Sequence, residues 1–234
     1  KNTVNEVFKK LLLNKKDVGS DYKMCWNDIK NIRNKKHDDY VKNIPFSDFV
    51  VFNSILKSVP NDTNLQLGNS SAVRYAQLFD LNKTLKVFCN RGTSGIDGST
   101  STAIGAASVS NNATVLITGD LSFFYDSNAL WNNYIPNNFR IIIINNGGGG
   151  IFRILPGHKN TANFDEFFET KHSLTAVQLC KMYGFEYTSA SSVDSLSKGL
   201  ANFYDNCEQP KLLEVFTPST INDEVLLNYF KFIK

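Results

Sequence analysis

The sequence predicts an α/β fold: a doubly wound, mainly parallel sheet flanked by helices. Three observations carry this. Short apolar, β-branched segments alternate with helix-like ones between residues 65 and 230. The isoleucines at 141–144 form an unbroken apolar run, the mark of a strand covered on both faces. Glycine with a polar residue follows four successive strand candidates, at the sheet edge where open parallel sheets bind ligands.

Taken in order, two polar helical patterns open the chain at 4–13 and 21–42. Pro45 and Phe46-Ser47-Asp48 then start an apolar helix that reaches Leu56 and stops before Pro60. Strand candidates lie at 65–67, 85–89, 114–118, 139–144, 185–188 and 211–216. Helical patterns at 72–81, 100–110, 123–133, 175–183, 193–206 and 223–230 alternate with them. Two parts are expected: residues 1–44 as a helical connector and residues 45–234 as a ligand-binding domain.

The net charge is +3, unevenly spread: residues 1–44 carry 11 Lys and Arg against 6 Asp and Glu, the rest 14 against 16. The basic residues of this first segment are interleaved with acids and Asn and lack an aromatic platform. They read as a solvated helical face rather than a nucleic-acid arm. No apolar stretch is long enough for a membrane helix, and no secretory apolar core opens the chain. The first residue is Lys rather than Met, which fits a processed or truncated chain. Cys25, Cys89, Cys180 and Cys207 show no C-x-x-C spacing, so a zinc knuckle is excluded and buried free thiols in a reducing cytoplasm are expected.

The strand ends carry the chemistry. Gly68-Asn69-Ser70 follows the first, with Arg74 one turn on; the second leads into the loop from Asn90 to Gly98. Gly119-Asp120 follows the third, and Asn145-Asn146 with Gly147 to Gly150 the fourth. The glycines fit neither a dinucleotide fingerprint nor a P-loop. Asp120 alone reads equally well as a helix N-cap. Asp120 and Asn146, 26 residues apart at two strand ends, give with a backbone carbonyl of the glycine turn a hard, all-oxygen donor set. Such a set suits Mg²⁺, which completes its octahedron with phosphate oxygens and water. A helix beginning near Ser122 would offer N–H groups to the same phosphates. A Mg²⁺–diphosphate site is the reading of the residues themselves.

Gly119-Asp120, 25 residues and then Asn146, preceded by Asn145, resembles the G-D…N-N motif of thiamine-diphosphate enzymes. The usual motif is Gly-Asp-Gly; Leu121 stands in its third place, as in the 2-succinyl-5-enolpyruvyl-6-hydroxy-3-cyclohexene-1-carboxylate synthases of menaquinone biosynthesis. Gly68 to Arg74, Asn90 to Gly98 and Gly148 to Phe152 also resemble that branch, and the likeness runs from about Phe46 onward. The resemblance implies a thiamine-diphosphate-binding fold, with residues 45–234 as its diphosphate-binding domain. It implies thiamine diphosphate and Mg²⁺ (or Mn²⁺) as cofactors, with Asp120, Asn146 and the Gly148 carbonyl on the metal. Gly92, Ile96, Gly119, Leu121, Ser122, Gly149 and Ile151 would line the cofactor. Ile96 would be the wedge that keeps it bent, with Ile151 and Phe152 beside the reacting carbon. Ser70, Arg74 and Arg91 would meet substrate. The implied reaction is decarboxylation of 2-oxoglutarate and addition of the succinyl carbanion equivalent to isochorismate; both substrates carry carboxylates that arginine suits.

The resemblance also implies something missing. The activating glutamate of such enzymes belongs to a separate pyrimidine-binding domain, usually of a partner subunit in a homodimer or homotetramer, and none of the seven glutamates here resembles it. The chain is therefore expected to supply only the Mg²⁺–diphosphate half of a site and to be inactive alone. An acetolactate-synthase-like carboligase or decarboxylase, and a non-catalytic domain docking a partner through its basic arm, remain alternatives. Residues 153–170 read as a lid; Arg153 and Lys159 in it could reach substrate carboxylates, whereas His158 and His172, in or near it, match no motif.

Overall fold

A computed structural model describes residues 2–16, 19–155, 157, 161 and 163–234. His158 and Lys159 lie outside the described residues, so the lid of the sequence reading is described only in part. Six parallel strands form one sheet in the order β2-β1-β3-β4-β6-β5. They are β1 (Asn64–Leu67), β2 (Lys86–Cys89), β3 (Thr114–Gly119), β4 (Phe139–Asn145), β5 (Glu186–Ala190) and β6 (Lys211–Phe216). The helices are α1 (Val4–Leu13), α2 (Tyr22–Lys42), α3 (Asp48–Ser58), α4 (Ser71–Ala76), α5 (Ser99–Ser108), α6 (Asp120–Tyr125), α7 (Val177–Tyr183), α8 (Val193–Ala201) and α9 (Asn222–Phe232). The predicted α/β fold is found, and the sheet is parallel throughout.

The period-two alternation of a strand explains the two helical layers. Ile142 and Ile144 of β4 pack with residues of α3, α4, α8 and α9, whereas Ile141 and Ile143 pack with α5, α6 and α7. Both sets are buried, so the isoleucine run serves two cores, at roughly 1.5–3 kcal/mol per buried side chain. The edge strand β2 is different: Val87 and Phe88 are exposed.

Several expected elements differ in extent. The helix predicted at 72–81 ends as α4 at Ala76. The one predicted at 123–133 begins earlier and ends sooner, as α6, followed by a 3₁₀ turn at Ser127–Leu130. Asp126 explains this, because its carboxylate accepts hydrogen bonds from the Ser101 amide and hydroxyl and so caps α5 from outside. The expectation of buried thiols holds only for Cys180; Cys25 is exposed, and all four cysteines are free.

At the amino end, α1 is closed by a capping box of Thr3 and Glu6 and buries no residue. Helix α2 docks on the body through its last turns. His37 Nδ1 lies 2.9 Å from the Tyr229 hydroxyl, and Tyr40 donates to the Val225 carbonyl at 2.6 Å. Among the described residues no helix is long and apolar enough to cross a membrane.

Candidate functional site

The carboxyl ends of β1, β3 and β4 open into one cavity of about 280 Å³. Of the residues singled out in the sequence, Ser70, Ile96, Gly119, Asp120, Leu121 and Ser122 line it, as do Asn146, Gly148, Gly149, Ile151 and Phe152. A larger cleft of about 680 Å³ lies between α2 and the body, bordered by Trp26, His37 and Tyr229. None of the residues singled out as site residues reaches it. The smaller cavity, where the strand ends converge, is the candidate site.

Asp120, 3% exposed, opens α6 directly after β3. Its Oδ2 accepts the backbone N–H groups of Gly147 and Gly148 at 2.9 and 3.0 Å, and its Oδ1 accepts that of Leu121 at 2.7 Å. The carboxylate is thus held by the glycine turn before any ligand arrives. Gly148 has φ +148, and a Cβ there would lie 2.5 Å from the Glu169 carbonyl oxygen, so only glycine lets the turn come this close. Gly68 plays the same part between strands: a Cβ on it would meet Thr118 Oγ1 at 2.6 Å.

Asn146 donates its Nδ2 to Asp48 Oδ2 at 3.0 Å, which leaves Oδ1 as the remaining acceptor of its side chain. Asp48 is fully buried and lines the cavity; burial pushes its carboxyl up to about 6, with the Asp120 charge adding to the shift and hydrogen bonds from Thr217 and Asn146 opposing it. The neighbouring Asn145 turns the other way: its Nδ2 donates to Glu214 Oε1 at 2.7 Å and its Oδ1 accepts from Gly147 N at 3.2 Å. Glu214, 0% exposed, also accepts from Tyr187 and from the Ala176 amide. One buried carboxylate therefore anchors the strand end that carries the glycine turn.

His172 follows the segment that backs this turn; its amide donates to the Gly147 carbonyl at 3.2 Å. Its Nε2 is buried without a well-aligned hydrogen bond, yet lies 3.3 Å from Asp120 Oδ2. Contact with Asp120 raises its pKa above the ordinary 6.5, against the lowering effect of burial. Arg153, considered from sequence as a substrate contact, instead forms a two-pronged pair with Glu169, at 2.7 Å through Nε and 2.8 Å through Nη2.

Three of the expected residues do not line the cavity. Arg74 is exposed and bends back onto the Ser70 carbonyl at 2.8 Å. Arg91 is exposed and donates to Asn69 Oδ1 at 2.9 Å, and Gly92 stands in solvent beside it. Asn69, quoted from the sequence only as part of a strand-end motif and given no role there, is buried and ties the first two strand-end loops together through Asn90 and Gly95. Ile96 reaches the cavity because the Ser122 hydroxyl holds its carbonyl. Ser70 sits at φ 67, a strained value for a residue with a side chain, beside the cavity.

A hard cation fits these donors. One carboxylate, one amide oxygen and the glycine-turn carbonyls are oxygen ligands of the kind Mg²⁺ takes when phosphates and water complete its shell. Among the described residues no group of three His, Cys, Asp or Glu side chains could hold a metal, so a thiolate- or imidazole-rich centre has no basis there.

Residues 67–215 match the family described as "Thiamine pyrophosphate enzyme, C-terminal TPP binding domain". The chain is 58% identical over 207 residues to the 2-succinyl-5-enolpyruvyl-6-hydroxy-3-cyclohexene-1-carboxylate synthase of Christiangramia forsetii, covering 88% of this chain and 36% of that protein. It is 56% identical over 224 residues to the enzyme of that name from Flavobacterium psychrophilum, covering 96% and 40%. The one from Porphyromonas gingivalis is 40% identical over 216 residues, covering 92% and 37%. The chain thus spans well under half the length of these curated relatives.

Proposed function

The chain belongs to the thiamine pyrophosphate enzymes, through their C-terminal TPP-binding domain, and from that premise we propose that its cavity is the Mg²⁺–diphosphate half of a thiamine-diphosphate site. The relatives' shared name supports an enzyme of menaquinone biosynthesis. The reaction proposed is decarboxylation of 2-oxoglutarate and transfer of the succinyl unit to isochorismate.

The observation that carries this is the convergence of Asp120, Asn146 and Gly148 on one cavity walled by Ile96, Ile151 and Phe152. Asp120, Asn146 Oδ1 and the Gly148 carbonyl would hold Mg²⁺, or Mn²⁺ in its place, for the diphosphate. When bound, thiamine diphosphate would supply the electron sink for the pair released as CO₂ leaves. The protein's own part is position and electrostatics. The apolar walls exclude water, which strengthens the contacts of the buried carboxylate. Ile96, whose carbonyl Ser122 holds, would offer its apolar side chain to the cofactor as a wedge. Arg74 and Arg91 stand beyond the cavity rim with guanidinium donors to spare, as a polycarboxylate substrate requires.

The glutamate that activates the cofactor comes from a pyrimidine-binding domain outside this chain, contributed by a partner subunit in a homodimer or homotetramer. Calorimetry tests the reading. The wild-type chain should bind thiamine diphosphate only with Mg²⁺ present, and Asp120→Ala should abolish binding. Unchanged binding in that variant overturns the metal assignment. The chain alone should not turn over 2-oxoglutarate; measurable turnover overturns the division of the site.

A further inference from the structure

Asp48 stands outside the residues matched to the family, 67–215, yet it forms part of the cavity wall. It is 2% exposed, and its two oxygens have separate tasks. Oδ1 accepts the Thr217 hydroxyl at 2.6 Å, and Oδ2 accepts Asn146 Nδ2 at 3.0 Å. Its backbone amide donates to Asn222 Oδ1 at 2.9 Å, and Asn222 in turn donates to the Pro218 carbonyl. The start of α3 is thereby clamped to the residues that follow β6 and to the start of α9.

Burying a carboxylate is costly unless cations or several donors answer it. A residue needed only to join α3 to Thr217 would do as well as an amide. A carboxylate has one property an amide lacks: it only accepts. Both side chains facing Asp48 are donors, so the Asn146 amide can meet it in one orientation alone. That orientation turns Asn146 Oδ1 away from Asp48 and leaves it as the free acceptor of a side chain that lines the same cavity as Asp120. We infer that Asp48 is the positioning residue that holds the Asn146 amide with its oxygen offered to the metal ion. The inference rests on the Mg²⁺–diphosphate reading of the cavity and adds to it a residue from α3, far from the paired motif in sequence. Partners behind metal ligands commonly change metal affinity about 10- to 100-fold when removed.

The test uses the full chain with saturating thiamine diphosphate, titrated with Mg²⁺ by calorimetry, alongside thermal melts. Asp48→Ala should weaken Mg²⁺ binding by about 10- to 100-fold. Asp48→Asn should recover only part of that loss, because its amide can also turn its nitrogen toward Asn146 and accept that side chain reversed. Thr217→Val removes the other hydrogen bond and should alter the melt but not Mg²⁺ affinity. Wild-type affinity in Asp48→Ala, or an equal loss in Thr217→Val, overturns the inference. Should Asp48→Ala fail to fold, the wild-type Asn146 side-chain amide decides by NMR. Its protons should exchange with solvent more slowly than those of a free amide, and free exchange overturns the inference. A wild-type chain that shows the slow exchange but no Mg²⁺-dependent binding leaves the clamp intact and overturns the proposed function, and with it the clamp's role toward the metal.

Discussion

His172 Nε2 lies 3.3 Å from Asp120 Oδ2, while the other ring nitrogen, Nδ1, accepts the Leu174 amide at 3.1 Å. Protonating the ring gives up the Leu174 bond, worth about 1 kcal/mol, and gains a charge contact with a buried carboxylate. At such distances that contact is worth on the order of 4 kcal/mol in partly buried surroundings. In chelator-treated protein His172 should therefore titrate above 6.5. Its contribution to stability is fully present below the unfolded value and is lost as pH rises through the raised one. NMR of the ring Cε1–H against pH reads this directly. Asp120→Asn should remove the upward shift, and a wild-type value at or below 6.5 would sink the assignment.

Gly148 is where backbone and site are most tightly joined. Gly148→Ala places a Cβ 2.5 Å from the Glu169 carbonyl at φ +148. The expected cost is on the order of 2 kcal/mol or more. Because the Gly148 amide also holds Asp120, Mg²⁺-dependent binding of thiamine diphosphate should fall with it. Denaturant melts together with calorimetry measure both; an alanine variant as stable and as tight as wild type contradicts the close approach.

Gly68 and Gly105 should respond in opposite directions. A Cβ at Gly68 meets Thr118 Oγ1 at 2.6 Å and its Cα at 3.1 Å, so Gly68→Ala should lose about 1–3 kcal/mol. Gly105 is exposed in the middle of α5 with open space around it, and Gly105→Ala should gain up to about 1 kcal/mol. Equal shifts from paired urea titrations would contradict this.

The Arg153–Glu169 pair fastens the segment beside the cavity. Glu169 is buried, so Arg153→Met leaves its carboxylate without its bidentate partner, at a cost on the order of 3 kcal/mol. Limited proteolysis should then cut within residues 163–170 faster than in wild type. An unchanged cleavage rate would show that the pair does not restrain the segment.

The strands were legible as short apolar, β-branched runs, the first four followed by glycine with a polar residue, and Asp120 and Asn146 because two strand ends repeat the same polar signature. The contacts that complete the site leave no such trace. Asp48 reads in sequence as the start of a helix, and its bond to Asn146 joins residues 98 apart. Glu214 lies in an apolar strand and shows its purpose only once Asn145, Ala176 and Tyr187 are seen around it. His172 has no motif partner because its contact is made across the glycine turn. Arg91 illustrates the converse: its place after a strand was visible, but its engagement with Asn69 depends on how two loops pack. The shortening of the 123–133 helix has the same origin, since Asp126 serves a neighbouring helix rather than its own.

The strand order has a consequence for synthesis. β4 ends at Asn145, but the strand beside it, β6, begins only at Lys211, and among the described residues β5 has no neighbour other than β6. On the ribosome, β1 to β4 can assemble as soon as they emerge, whereas β5 must wait unpaired for a later strand. Until Lys211–Phe216 is made, the flank of β4 is an open edge, Glu214 has not arrived to hold Asn145, and Thr217 is not there to meet Asp48. A nascent chain halted before β6 would thus carry the glycine turn without its anchors and a bare row of strand amides and carbonyls, the kind of edge that recruits other chains. The last quarter of the chain completes the sheet, and only then are both buried carboxylates seated.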